Sequence, residues 1–313
     1  MELDKNALGR SLESQVIGCA LSVHWWGINK QAGVEILSSV ADTFGANRKF
    51  LKIEKKLINI KNIYYKNLCE TKGTIVQFWK QHTLPYVESG VRLIKKDLVE
   101  TFDAKMETFR IDLRDRVTDL SNNYEQLKRE SQRALQGLFN ASDYPDSLNG
   151  LFSFHWTYPN LNPPEYLLLH NPALYRRQQD EIRAKFEKAV VKAEQAFGGE
   201  LQSLVTRLAE RMSPNEDGTR KVFRDSTVTE NFREFFQRFK TISVSNSSDL
   251  QDIVDKAERV IAGVEPSYLK SDSMARQDLA NQMKEVSKLL EEKIGVQARR
   301  VIEAPVPAGV GAL

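Results

Sequence analysis

Four histidines, His24, His82, His155 and His170, are the first residues to weigh for metal or acid–base chemistry. Imidazole titrates near neutrality and is the commonest metal ligand. His24 and His155 lie in two segments that share Ser-x-His-Trp, Leu21-Ser-Val-His-Trp25 and Phe152-Ser-Phe-His-Trp156. No His-x-x-x-His or Glu-x-x-His pair completes a ligand set around either one, so a structural, hydrogen-bonded histidine pair is expected there. No cofactor and no metal are expected. Asp112, Asp115 and Asp119 recur at three and four, near one helix face. Arg110, Arg114 and Arg116 are interleaved with them, which marks a solvated, salt-laced face rather than a catalytic cluster. GxxxxGK[ST], GxGxxG and GxSxG runs are missing, and no Ser or Thr has a recognisable base partner. Cys19 and Cys69 have no CxxC neighbour and read as small buried hydrophobes. The sequence therefore predicts a protein that is not an enzyme.

Binding chemistry is better represented. Residues 47–66 carry Arg48, Lys49, Lys52, Lys55, Lys56, Lys61 and Lys66 against the single acid Glu54. Phe50, Ile53, Leu57, Ile60 and Tyr64 recur at three and four behind Asn47, which predicts a capped helix over 47–69. Its basic face, with Arg48, Lys49, Lys52, Lys55 and Lys56 as candidate anion contacts, suits phosphates, an anionic membrane or an acidic partner. A solvated lysine-rich face has the same composition. A second candidate is the breaker-rich connection 140–170, too long to be a simple turn. It holds Tyr144 and a strand-like run that places Phe152, Phe154, Trp156 and Tyr158 on one face. These five aromatics are the candidate partner contacts, because loops on rigid scaffolds tend to bear function.

The elements that must position these residues are mostly helical. Apolar residues recur at eleven in two long stretches. Leu98, Phe109 and Leu120 form one row, and Phe102, Leu113, Tyr124 and Leu135 the next. Ile182/Ala193/Leu204, Phe186/Phe197/Leu208 and Val190/Leu201/Met212 form three more. Eleven residues fill three turns at about 3.67 per turn, so such rows stay on one face of a nearly straight helix. Burying them against each other predicts a long antiparallel, coiled-coil-like helical hairpin of helices near 91–139 and 171–212. The first would span on the order of 70 Å. Gly198 and Gly199, inside the second, are a candidate hinge. The matching runs 21–25 and 152–156 predict a small two-stranded antiparallel element. Thr227-x-x-Glu230 opens a helix that buries Phe232, Phe235, Phe236 and Phe239, and helices near 248–262 and 272–294 follow. The expected regions are 1–90 (strand and basic helix), 91–213 (hairpin with the aromatic loop), 214–300 (C-terminal helices) and 301–313 (disordered tail).

Among the 313 residues, 41% are hydrophobic and 28% charged, a balance suited to long two-helix layers with thin cores. A net charge of +3 argues against a surface wholly devoted to nucleic acid. The N-terminus lacks an apolar signal core, and no run approaches the ~20 apolar residues of a membrane span. A cytoplasmic protein with no membrane partner is expected.

Four short motifs carry a resemblance. They are Val23-His-Trp-Trp-Gly27 with Lys30; Phe102-Asp-Ala-Lys-Met106 with Phe109; Tyr124; and Asp143-Tyr-Pro145 followed by Phe152-Ser-Phe154. Over roughly 14–300 the chain resembles an uncharacterised bacterial and phage domain family of unknown function, number thirty-one fifty. Members are often encoded beside a MoxR-type AAA ATPase and a von Willebrand factor A protein. The resemblance implies a scaffold or adaptor for such a machine, in a phage or mobile element, and supplies no catalytic residues. A nucleic-acid-binding accessory role through 47–66, and a phage structural or host-takeover role, are the alternatives. Oligomeric state is not set by the sequence.

Overall fold

A computed structural model describes residues 12–215, 217–219, 221–223, 229–243 and 248–303. In chain order it contains β1 (Val16–Trp25), β2 (Asn29–Gln31), α1 (Val34–Phe44), a 3-10 turn (Arg48–Phe50), β3 (Glu54–Lys56), α2 (Ile63–Gln81), β4 (Leu84–Pro85) and β5 (Val91–Lys95). Then come α3 (Val99–Asn122), α4 (Tyr124–Leu135), β6 (Phe152–Thr157), α5 (Tyr166–His170) and α6 (Pro172–Met212). The chain closes with α7 (Glu230–Ile242), α8 (Ser248–Ala262), α9 (Pro266–Ser271) and α10 (Ser273–Glu303). The protein is mostly α with short antiparallel strands. No described helix is long and apolar enough to cross a membrane.

The chain divides into two compact units rather than into consecutive regions. The first unit is Cys19–Gln81 with Asp97–Pro159. The second comprises the described parts of 1–18, 82–96 and 160–313.

In the first unit β1 and β6 pair antiparallel, Leu21 opposite Trp156, Val23 opposite Phe154 and Trp25 opposite Phe152. The expected ribbon between the two Ser-x-His-Trp segments is therefore present. Strand alternation turns Phe152 and Phe154 into the core, and Trp25 meets Phe152 edge-on at 5.0 Å. The apolar row of α3 is buried too: Phe102, Met106, Phe109, Leu113 and Leu120. Its partner is α2. Phe78 of α2 stacks on Phe102 at 5.4 Å and meets Phe109 edge-on at 5.3 Å.

This corrects the predicted first helix. Residues 91–95 form β5 opposite β4, and the helix is interrupted at Asn123. Gly90, at φ +78°, turns the chain into β5. At the interruption the Asn123 side-chain amide donates to the Asp119 carbonyl, a local bond that competes with the helical ladder. α2 runs through Gly73 without a break.

In the second unit the 41-residue α6 opens as expected, with Pro172 in its first turn and the Asn171 side chain accepting from Leu174 N–H. Phe186, Val190, Ala193, Phe197, Leu201, Leu208 and Met212 are buried along it. Its main partner is α10, which contributes Leu279, Ala280, Met283, Val286 and Leu290. Phe197 also meets Phe239 of α7 edge-on at 5.0 Å. The two row-bearing helices thus fall in different units, each with its own partner, in place of the predicted hairpin. No strand forms at Lys221–Phe223. Thr227 of the capping box, residues 1–11 and residues 304–313 of the expected tail lie outside the described residues.

α6 continues without a break through Gly198 and Gly199, so the candidate hinge shows no hinge geometry. A Cβ added at Gly199 would meet nothing within 4 Å. Gly199→Ala should therefore raise unfolding free energy by about 0.5–1 kcal/mol, measured by thermal or urea denaturation. A second expectation concerns Tyr124, whose phenol donates to the Pro145 carbonyl at 3.0 Å. Burial, with Glu125, Tyr144 and Asp146 nearby, pushes its pKa from 10.0 up to about 12. A raised folded pKa means that this stability is complete below pH 10 and lost as pH rises through about 12. Tyr124→Phe should cost about 1 kcal/mol at neutral pH and remove that alkaline loss, read by denaturation across the pH range.

Candidate docking site

The basic segment does not form the predicted helix. It belongs to an excursion, residues 28–57, that leaves the first unit after β1 and returns before α2. Three asparagines divide it. Asn47 accepts from Lys49 N–H at 3.0 Å and starts the 3-10 turn. Asn59 accepts from Lys61 N–H at 3.0 Å, and Asn62 from Tyr64 N–H at 3.0 Å as α2 begins. Such side chains mimic backbone turns and outcompete a helix. The run between the turns is strand-like instead.

A two-stranded stem closes the excursion. β2 and β3 pair Asn29 with Lys56, Lys30 with Lys55 and Gln31 with Glu54. Ala32 N–H donates to the Ile53 carbonyl and Leu57 N–H to the Ile28 carbonyl, at 2.9 and 2.8 Å. The stem is bolted to the first unit. Ile28, Leu57 and Ile58 are buried, and Ser131 Oγ donates to the Leu57 carbonyl at 2.7 Å. Lys55 Nζ lies 2.7 Å from an Asp143 carboxylate oxygen and donates to the Leu138 carbonyl at 2.7 Å. This pair relieves the opposition of Lys30 and Lys55 across the stem.

The head of the excursion is α1 and the 3-10 turn, which touch each other. Gly45, at φ +61°, caps α1, and Ala46 N–H bonds back to the Ala41 carbonyl at 2.8 Å. Only Ala41 of α1 is buried. Val34 is 74% exposed, Phe44 78% and Phe50 87%. The sequence reading placed Phe50 on a buried stripe and overlooked Phe44. The signal available was a pair of phenylalanines flanking Gly45-Ala46-Asn47, a turn that cannot bury both.

The candidate anion contacts separate into two groups. Arg48 pairs with Asp42 at 3.5 Å, Lys52 with Glu54 at 2.7 Å, and Lys55 with Asp143 as described. Lys49 and Lys56 are exposed and have no ion-pair partner among the described residues.

The candidate partner contacts are largely interior. Tyr144, Phe152 and Phe154 are buried in the first unit, and Tyr144 packs on Phe139 at 5.1 Å. Trp156 Nε1 donates to Asp103 Oδ1 at 2.7 Å and the Tyr158 hydroxyl to the same oxygen at 3.2 Å. Arg110 covers the Trp156 ring at 4.6 Å. Burial, and then the Asp103 carboxylate, raise the Tyr158 pKa. These rings hold the loop down rather than present it. His24 and His155 are exposed, each opposite a serine, Ser153 and Ser22. They do not form the hydrogen-bonded histidine pair expected of them, since the register sets each against a serine. His, Cys, Asp and Glu side chains make no cluster of three fit for a metal among the described residues.

In the second unit Tyr166, Leu168 and Leu169 are exposed on α5, Leu169 by 84%. A cleft of about 560 Å³ lies between Glu210, Arg211, Asn215, Lys221 and Val222. Lys221 Nζ donates to the Glu210 carbonyl there.

Lys55 and Asp143 are the fixing point of the stem. Asp143→Asn should destabilise the first unit by about 1–3 kcal/mol, because it strips the half-buried Lys55 of its countercharge. Tryptic cleavage at Arg48 and Lys49 should speed up in parallel. The double variant Lys55→Met/Asp143→Leu should recover much of the loss.

No family model, curated protein or solved structure matches this chain.

Proposed function

We propose that the protein is a non-enzymatic cytoplasmic scaffold or adaptor, a component of a MoxR-type AAA ATPase and von Willebrand factor A system carried by a phage or mobile element. One observation carries the adaptor reading: each unit exposes a group of large apolar side chains, besides the scattered Ile111, Leu138, Val222, Tyr268 and Met274. In the second unit these are Tyr166, Leu168 and Leu169; in the first, Val34, Phe44, Phe50, Ile60 and Ile63. Exposed apolar clusters on well-supported elements mark interaction surfaces. An adaptor needs two of them.

The α5 cluster is the proposed protein-docking end. α5 contacts α6, whose apolar face is buried against α10 over much of its length, so the cluster sits on a stiff support. The ATPase and von Willebrand factor A partners come from the family resemblance. The nucleic-acid alternative loses support from the geometry, since Arg48, Lys52 and Lys55 already hold carboxylates.

Co-expression with a MoxR-type AAA ATPase and a von Willebrand factor A protein tests the reading. The wild-type chain should co-purify with at least one of them, and Leu168→Ser/Leu169→Ser should weaken that association about tenfold or more with unchanged melting. Failure of the wild-type chain to associate with either folded partner removes the proposal.

A further inference from the structure

We propose that the head of the excursion in the first unit binds an anionic lipid surface. Charge is the first observation. The chain holds 45 basic and 42 acidic residues, and residues 28–61 hold seven of the former and three of the latter. This short run therefore carries +4, and the remainder of the chain −1. Of its acids, Asp42 and Glu54 are engaged by Arg48 and Lys52, which leaves Glu35. Lys30, Lys49, Lys56 and Lys61 are exposed with no ion-pair partner among the described residues.

Shape and residue type are the second. A phenylalanine that is 87% exposed at a tight turn protrudes, as does one that is 78% exposed at a helix end. Protruding rings flanked by lysines are the arrangement that enters the boundary between headgroups and acyl chains. The lysines then lie at the level of the headgroup phosphates. The apolar residues are not all aromatic. Val34, at the start of α1 in the same head, has no π face, so stacking on bases would leave it idle. A protein pocket for Phe44 and Phe50 would need matching shape, whereas a lipid interface accepts any convex apolar surface. The anchored stem is the third observation. Lys55, Asp143 and Ser131 fix the base, so insertion of the head does not require the unit to unfold. Contact of this kind needs no membrane-spanning helix.

The inference is independent of the adaptor reading and uses a different unit. Full-length protein is mixed with phosphatidylcholine vesicles, with and without phosphatidylserine, and pelleted. The expected result is co-sedimentation with the phosphatidylserine vesicles only, weakening as salt rises. Phe44→Ser/Phe50→Ser and Lys49→Glu/Lys56→Glu should each reduce binding about tenfold or more. Far-ultraviolet circular dichroism and melting confirm that both variants fold. No binding of the wild-type chain to phosphatidylserine vesicles at low salt overturns the inference, as does binding that both double variants retain. Phe-dependent binding to an oligothymidine probe without vesicle binding would assign the head to nucleic acid instead. Loss of vesicle binding with partner co-purification intact would leave the adaptor reading standing.

Discussion

The ladder between β1 and β6 is the constraint on which the first unit depends. It joins residues 20–25 to residues 152–157 across most of the unit's sequence. Its register is specified by which face must be dry. A slip of one residue would turn Phe152 and Phe154 to solvent and bring Ser153 and His155 inside. The repeated Ser-x-His-Trp text supports this register in a simple way. Running the same text in opposite directions puts Ser22 opposite His155 and His24 opposite Ser153, a small side chain beside a large one on the wet face. On the dry face Trp156 is then placed to donate to Asp103 of α3. The ladder thus positions a helix as well as a strand.

From that register the rest of the unit follows by closure. Asp103 receives both Trp156 and Tyr158, which holds the end of β6 against α3. Tyr124 reaches back to the Pro145 carbonyl and holds the loop before β6. Asp143, two residues earlier, faces Lys55. The loop that read as a presenting surface is thereby a clamp, and what it clamps is the stem of the excursion. The same aromatic residues that look available in sequence are required by the core, because only burial on the dry face of the ladder and against α3 gives this small unit enough apolar area.

How much of this was legible depended on whether the signal was local. The β1–β6 ribbon, the Asn171-Pro172 helix start and the four-phenylalanine face of α7 were readable, since each is set by alternation, capping or helical spacing within a few residues. Most residues of the eleven-residue rows in α3 and α6 are buried, although Ile182 and Leu204 are only half-buried and Met106 and Val205, outside the rows, are buried too. The rows could not name what buries them, because a row specifies a face and not its partner. α2 shows no long row of its own, yet it is the partner of α3, with Phe78 against Phe102 and Phe109. Segment 47–62 failed for a different reason. Its three-and-four spacing is real, but Asn47, Asn59 and Asn62 each offer a turn that a spacing count does not weigh.

The excursion poses the sharpest physical question in the chain. Phe50 and Phe44 stay in water while its stem is anchored by a half-buried ion pair, a buried hydroxyl bond and three buried aliphatic residues. If the head only had to be tolerated, the stem would have no reason to be held so firmly, and a polar turn would serve as well as two phenylalanines. Exposed aromatic rings add nothing to the stability of the unit and promote association in solution. A rigid base under an unstable-looking tip is the combination expected when ordering costs are met before binding, so that contact area is converted into affinity rather than into folding the site. On that argument the head is an element built for contact, and the +4 carried by residues 28–61, most of it on the stem and its flank, favours a negative surface for that contact.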